Sequence, residues 1–146
     1  EPMSQGTRCR QLAQYVIFEA PFNMLCDNPS NYLAEPECTQ FIAEIPTVWD
    51  ETVALNGEIS KYVTIARRTG NEWYLGSMTN WDSRTLDVDL SFLGDGNFKA
   101  EIFRDGVNAH RTAMDYRKET VDVSADRKMT LKMAPGGGFA MKITKL

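Results

Sequence analysis

The chain has 146 residues, enough for one domain with a sizeable core or for a small domain joined to part of another. Hydrophobic residues make up 42% and charged residues 25%, and no apolar run approaches the roughly 18 residues of a membrane span, so a membrane domain is not expected. The net charge of -4, with 16 Lys and Arg scattered among 20 acids, provides no basic stripe for phosphates and argues against nucleic acid as a partner.

The sequence opens on Glu1-Pro2 rather than Met, with no charged segment leading into an apolar stretch, and is expected to be a piece of a longer polypeptide. The next residues, RCRQLAQYVIFEA (8–20), set Leu12, Tyr15, Val16 and Phe18 at mostly helical spacing. Thr7 is available as an N-cap and Pro21 as a stop, so a helix is expected. PFNMLC follows, a short apolar run bounded by Pro21 and by Asp27-Asn28-Pro29; it reads as a buried strand, then a turn and a loop to about Leu33. In EPECTQFIAEIP the residues Cys38, Phe41, Ile42 and Ile45 recur at i, i+3, i+4 and i+7. Pro36 suits a first helical turn and Pro46 ends the helix.

All three cysteines, Cys9, Cys26 and Cys38, fall in this part and none has CxxC spacing, which leaves a zinc site poorly supported. They are expected to be buried as small apolar residues, with one disulfide as the alternative in an exported protein.

Beyond Pro46 the period becomes two. In RTLDVDLSF, Leu86, Val88, Leu90 and Phe92 alternate with Asp87, Asp89 and Ser91, the pattern of a sheet with one wet face. The alternation returns at Phe98, Ala100 and Ile102, at Met129, Leu131 and Met133, and at Phe139, Met141 and Ile143, with turn signals such as Asn56-Gly57 and Asp105-Gly106 between. Seven or eight short strands of this kind predict an antiparallel β-sandwich. One strand and two helices cannot close a core of their own. Residues 1–48 are therefore expected to be an α/β remnant of a larger domain, and residues 49–146 an all-β antiparallel sandwich.

Candidate chemistry is sparse. His110 is the single histidine, so any triad would have to be built on it; a solvated loop residue is expected. Gly136-Gly137-Gly138 lacks a following GK[ST] and reads as a tight strand entry rather than a phosphate cradle. Glycoside hydrolysis needs two carboxyl groups facing each other across a sugar. Asp50 and Glu51 are sequence neighbours and should diverge on an extended chain. Glu35 and Glu37, at a helix start, suit the helix dipole. Asp27 and Asn28 directly follow the expected strand. In an α/β barrel the strand C-termini form the active-site face, which makes them substrate-contact candidates, with an Asx turn as the alternative. Trp73 and Tyr74 are expected on opposite faces of one strand, one of them in the core, and Trp49 and Trp81 at the domain junction.

Five segments, PMSQGTRCRQLAQYVIFEAPFNMLCDNPSNY, PECTQFIAEIPTVWDET, GEISKYVTIARRTGNEWYLGSMTNW, FRDGVNAHR and APGGGFAMKI, resemble the C-terminal portion of glycoside hydrolase family 97, which comprises bacterial α-glucosidases and α-galactosidases. His110 departs from the pattern, which leads one to expect an acid after Asn108-Ala109. The resemblance implies an N-terminal β-super-sandwich, a catalytic (β/α)8 barrel and a C-terminal β-sandwich associated with oligomerisation. Residues 1–48 would then hold the last β/α unit of the barrel, with Phe22 to Cys26 as its eighth strand. It also implies acidic catalytic residues and a calcium ion, all placed earlier in the family's chain. No catalytic residue and no metal ligand is expected here. The implied partners are an oligosaccharide substrate bound through the missing barrel, the rest of the enzyme and, as one option, further copies of the chain. The implied location is periplasmic or exported. A second reading is a non-catalytic carbohydrate-binding or oligomerisation module.

Overall fold

The computed structural model describes residues 5–20 and 22–146. Three helices, α1 (Arg8–Ile17), α2 (Pro29–Ala34) and α3 (Pro36–Glu44), precede eight strands: β1 (Glu51–Glu58), β2 (Tyr62–Thr69), β3 (Glu72–Thr79), β4 (Arg84–Asp89), β5 (Phe98–Asp105), β6 (Tyr116–Asp122), β7 (Lys128–Met133) and β8 (Gly138–Lys145).

Helix α1 begins where expected: the Thr7 hydroxyl accepts a hydrogen bond from Arg10 N at 3.2 Å, satisfying one of the free amides of a helix start. Its buried stripe is Cys9, Leu12, Ala13, Val16 and Ile17. The helix ends three residues before the expected Ala20, because Phe18 is extended and exposed, with nothing to pack against; Pro21 lies outside the described residues. At its end Arg67 Nη2 donates to the Ile17 carbonyl at 3.0 Å. This arginine is only 5% exposed, a buried cation at the negative end of a helix dipole.

The strand expected over Phe22–Cys26 is not formed. The segment is irregular and exposed, since a strand without a neighbour leaves its backbone groups to water and its side chains without a core. The loop expected to Leu33 instead contains α2. Its signal was present in the sequence: Asn28 is the N-cap, accepting from Asn31 N at 3.1 Å, and Pro29 occupies the first turn. Helix α3 matches its expected span to within one residue.

The strands form a six-stranded antiparallel sheet, ordered β1-β2-β3-β8-β5-β6, faced by a two-stranded sheet of β4 and β7. Between them lies a core that includes Trp73, Leu75, Val88, Ile102, Leu131, Met133, Phe139 and Met141. The other face of the large sheet is not wet at its centre. There Tyr74, Phe103 and Ala140 pack against Cys9, Leu12 and Val16 of α1 and Cys38 and Phe41 of α3. Strands β3, β5 and β8 are thus buried on both sides, and the expected one-sided alternation holds only in strands such as β4 and β7. Trp73 and Tyr74 do take opposite faces, and both are buried, each in its own core. Phe92 leaves the expected strand for a 3-10 turn (Ser91–Leu93) and packs edge-on against Trp73.

Two glycines let α1 lie flush on the sheet. A Cβ on Gly76 would stand 2.7 Å from the Ala13 carbonyl oxygen, and one on Gly138 2.9 Å from Arg10 Cα. The helix backbone rests directly on the backbones of β3 and β8.

Candidate functional site

Asp27 and Asn28 come together in one exposed turn. Asp27 Oδ1 accepts from Asn28 N and from Asn31 Nδ2, each at 2.7 Å, while the Asp27 amide donates to Tyr32 Oη at 3.2 Å. The geometry is an Asx turn that starts α2, set in a stretch that exposes Phe22, Met24, Leu25 and Leu33. Cys26 is exposed with them, against the expectation of burial, because the segment lacks a partner; Cys9 and Cys38 are buried, and all three thiols are free. Burial pushes the Cys9 and Cys38 thiols up, which makes them inert packing groups.

Asp50, Glu51, Glu35 and Glu37 are all engaged within the chain. Asp50 and Glu51 do not diverge into separate roles: both reach Arg68, at 3.7 and 3.2 Å, and Asp50 also accepts from Gly70 N at 2.8 Å. They lock the start of β1 to the β2–β3 turn. Glu35 pairs with Arg8 at 2.9 Å instead of capping α3 through its side chain, and Glu37 accepts from Tyr116 Oη at 2.8 Å. Lys142 bridges Glu44 and Glu72, each at 3.2 Å. Burial alone would lower its pKa; the hydrogen bonds to Glu44 and Glu72 more than offset this and hold it up. Tyr74 Oη completes this clamp by donating to the Glu44 carbonyl at 3.1 Å.

At the end of β5, Asp105 Oδ2 accepts from Ala134 N at 2.9 Å and Gly138 N at 3.0 Å, and Thr7 N donates to the Gly136 carbonyl at 3.0 Å. Burial raises the Asp105 pKa; hydrogen bonds from Thr7, Ala134 and Gly138 oppose the rise. Gly136-Gly137-Gly138 is therefore the tight strand entry that its sequence predicts. A Cβ on Gly137 would fall on the Asp105 carboxylate. The anchoring contacts of Asp105, Arg67 and Lys142, and the bond from the Tyr74 hydroxyl to Glu44, escaped sequence reasoning because the partners lie far along the chain; no local spacing encodes them.

His110 is an exposed turn residue. Trp49 is half-buried and edge-on to Tyr74, with ring centroids 5.6 Å apart. Trp81 is 62% exposed and lies against Gly136, whose Cβ would meet the ring at 2.6 Å, so the structure does not place the two indoles together. A groove of about 480 Å³ is lined in part by Arg10, Ser60, Tyr62, Thr79 and Asn80 and contains no converging carboxylates. Calcium needs six to eight oxygen ligands. Among the described residues no three His, Cys, Asp or Glu converge on one point, so this chain does not fit the ion implied by the resemblance.

Comparison with known proteins agrees with this architecture. The family model described as "Glycosyl-hydrolase 97 C-terminal, oligomerisation" matches residues 48–144. A retaining alpha-galactosidase of Bacteroides thetaiotaomicron is 60% identical over 143 residues, covering 98% of this chain and 22% of that protein. A glycoside hydrolase family 97 enzyme of Pseudoalteromonas sp. strain K8, solved in complex with panose, superposes with a TM-score of 0.92 at 40% identity, covering 97% of this chain and 23% of its own. A beta-arabinopyranosidase structure superposes with a TM-score of 0.81 at 28% identity, covering 96% of this chain and 22% of its own. The chain thus spans less than a quarter of the length of these relatives. Helices packed on the outer face of an antiparallel sandwich, the matched 48–144 stretch and the full-length superposition lead to one conclusion: the chain belongs to glycoside hydrolase family 97.

Proposed function

We propose that this chain is the C-terminal segment of a retaining α-galactosidase. Residues 1–48 would close its catalytic barrel, residues 49–146 would form its accessory sandwich, and the catalytic carboxylates would lie outside this stretch. The observation that carries the reading is the 60% identity to the retaining alpha-galactosidase over 143 residues. Within that reading, the irregular apolar segment Phe22–Cys26 pairs as the eighth barrel strand once its neighbours are present. This delivers Asp27 and Asn28 to the substrate face, where their exposed turn can meet an oligosaccharide. A calcium ion, if used, is held by residues of the barrel, and the enzyme is exported to the periplasm.

The test uses the full-length protein. It is expected to cleave an aryl α-galactoside in preference to an α-glucoside and to release the α-anomer first in NMR time courses, as a double displacement requires. A preference for the glucoside or initial release of the β-anomer overturns the assignment. The 146-residue chain alone is expected to be inactive on both substrates, with or without calcium; turnover above blank would place the carboxylate pair here. Cell fractionation checks the location.

A second reading has its own support. The description attached to residues 48–144 is oligomerisation, and we infer that the sandwich also joins copies of the enzyme.

A further inference from the structure

The large sheet ends in two strand edges, β1 and β6. Unpaired edges are templates for another strand unless the chain blunts them. Edge β1 is blunted: its register slips between Ala54 and Asn56, a bulge that bends the strand, and it begins with Glu51 and ends with Glu58. Edge β6 pairs with β5 without a break from Tyr116 to Asp122. Its side chains alternate. Lys118 lies over the Phe103 ring at 5.4 Å, on the helix side of the sheet, and Val121 packs on the sandwich core. Lys118, Thr120 and Asp122 therefore share the helix side, and Arg117, Glu119 and Val121 the other.

A two-fold antiparallel pairing of β6 with itself must centre on one residue, so that opposing side chains share a face. Centred on Lys118 or Glu119, the pairing sets that charge against its own copy. Centred on Val121, it overlaps only residues 120–122 of the strand. Centred on Thr120, it overlaps residues 118–122, sets Lys118 against Asp122 twice, Glu119 against Val121 twice, and opposes no like charges. Glu119 is already neutralised on the sandwich side by Arg104 at 2.9 Å and Arg117 at 3.3 Å, so no free charge is forced against Val121.

We propose that β6 is the surface through which a second copy of this protein docks, by antiparallel edge pairing about Thr120, joining two six-stranded sheets into one. The proposal rests on the oligomerisation reading and assigns it to one edge and one register.

The test uses the full-length protein carrying Cys26→Ser, which removes the exposed thiol. Light scattering over a concentration series should show a dimer. Thr120→Cys faces its own copy across a strand pair, within reach of a disulfide, so oxidation should yield a covalent dimer on a non-reducing gel, whereas Arg117→Cys should not. Lys118→Glu should raise the dimer Kd at least tenfold, and Lys118→Glu with Asp122→Lys should restore it. Where Lys118→Glu lowers the melting temperature of the protomer, the Thr120→Cys cross-link decides. A monomer at every concentration overturns the oligomerisation reading itself. A dimer that neither cross-links at Thr120 nor responds to Lys118→Glu leaves that reading standing and overturns the β6 assignment.

Discussion

Gly76→Ala tests whether α1 and the sheet form one packed unit. The added Cβ would sit 2.7 Å from the Ala13 carbonyl oxygen and 3.1 Å from Val16 Cβ and Ile17 Cγ1. The carbonyl is helix backbone and cannot swing aside, so α1 must lift by roughly 0.7 Å to reach ordinary contact. Gaps of that size forfeit about a quarter to a half of each dispersion contact they open, and overpacking of this kind costs about 1–3 kcal/mol. Against this, replacing a strand glycine lowers the entropy of the unfolded chain, which returns about 0.4–1 kcal/mol. Taken at the middle of each range, the net is a loss of about 1.3 kcal/mol, equivalent to a drop in melting temperature of about 3–5 °C for a chain of this size. Thermal melting by circular dichroism measures it, and thiol labelling localises it: Cys9, on the buried face of α1, should label faster than in the parent. Gly70→Ala has open space around its Cβ but is strained at a φ of +55°, so it controls for lost stability without a lifted helix, and Cys9 should label more slowly in it than in Gly76→Ala. A Gly76→Ala protein that melts at or above the parent temperature with Cys9 still protected would refute the flush-helix account.

Trp49→Ala should cost about 2 kcal/mol, below the 3–5 typical of a fully buried indole, because Trp49 is half-buried against Tyr74; urea denaturation reads it. Lys142→Met should cost at most about 1 kcal/mol, since its partners Glu44 and Glu72 are more than a third exposed and solvent screens the pairs; the same titration checks this. Asp105→Asn bears on pH. Its folded pKa is raised by burial, so the native state binds that proton more tightly than the unfolded chain. Its contribution to stability therefore grows as pH falls through the folded value towards the ordinary Asp value, and levels off below. Glu44 has the opposite sign: hydrogen bonds from Gln40 and Lys142 lower its pKa, so its contribution is lost as pH falls from the ordinary Glu value through the folded one. Melting curves between about pH 3 and 7 should thus show Asp105→Asn losing stability on acidification more steeply than the parent; parallel profiles would contradict the buried-carboxylate reading.

Local patterns carried much of this architecture. Thr7, Pro36 and Pro46 bracket two helices, and alternation in β4, β5, β7 and β8 reveals the sheets, because capping and pleating are short-range physics. Non-local effects were hidden. Trp73 and Tyr74 are expected to put one ring in the core and one outside it, until α1 and α3 cover the second face, and no spacing says that they will. The strand read into Phe22–Cys26 failed for a related reason: an apolar run becomes a strand only beside another strand. The turn at Asp27-Asn28 was legible from its residue types, whereas the anchoring roles of Arg67, Asp105 and Lys142 depend on contacts with partners many residues away.

The doubly covered sheet also constrains how this region can be inherited. The stretch matched as a C-terminal domain begins at residue 48, yet Tyr74, Phe103 and Ala140 meet their apolar partners on helices that end before it. Cut at that point, the strands would carry a bare greasy face into water, an aggregation hazard. The unit that evolution or an engineer can move between enzymes is therefore the sandwich together with α1 and α3. A transplanted sandwich remains soluble only when those helices travel with it or the new host supplies replacements.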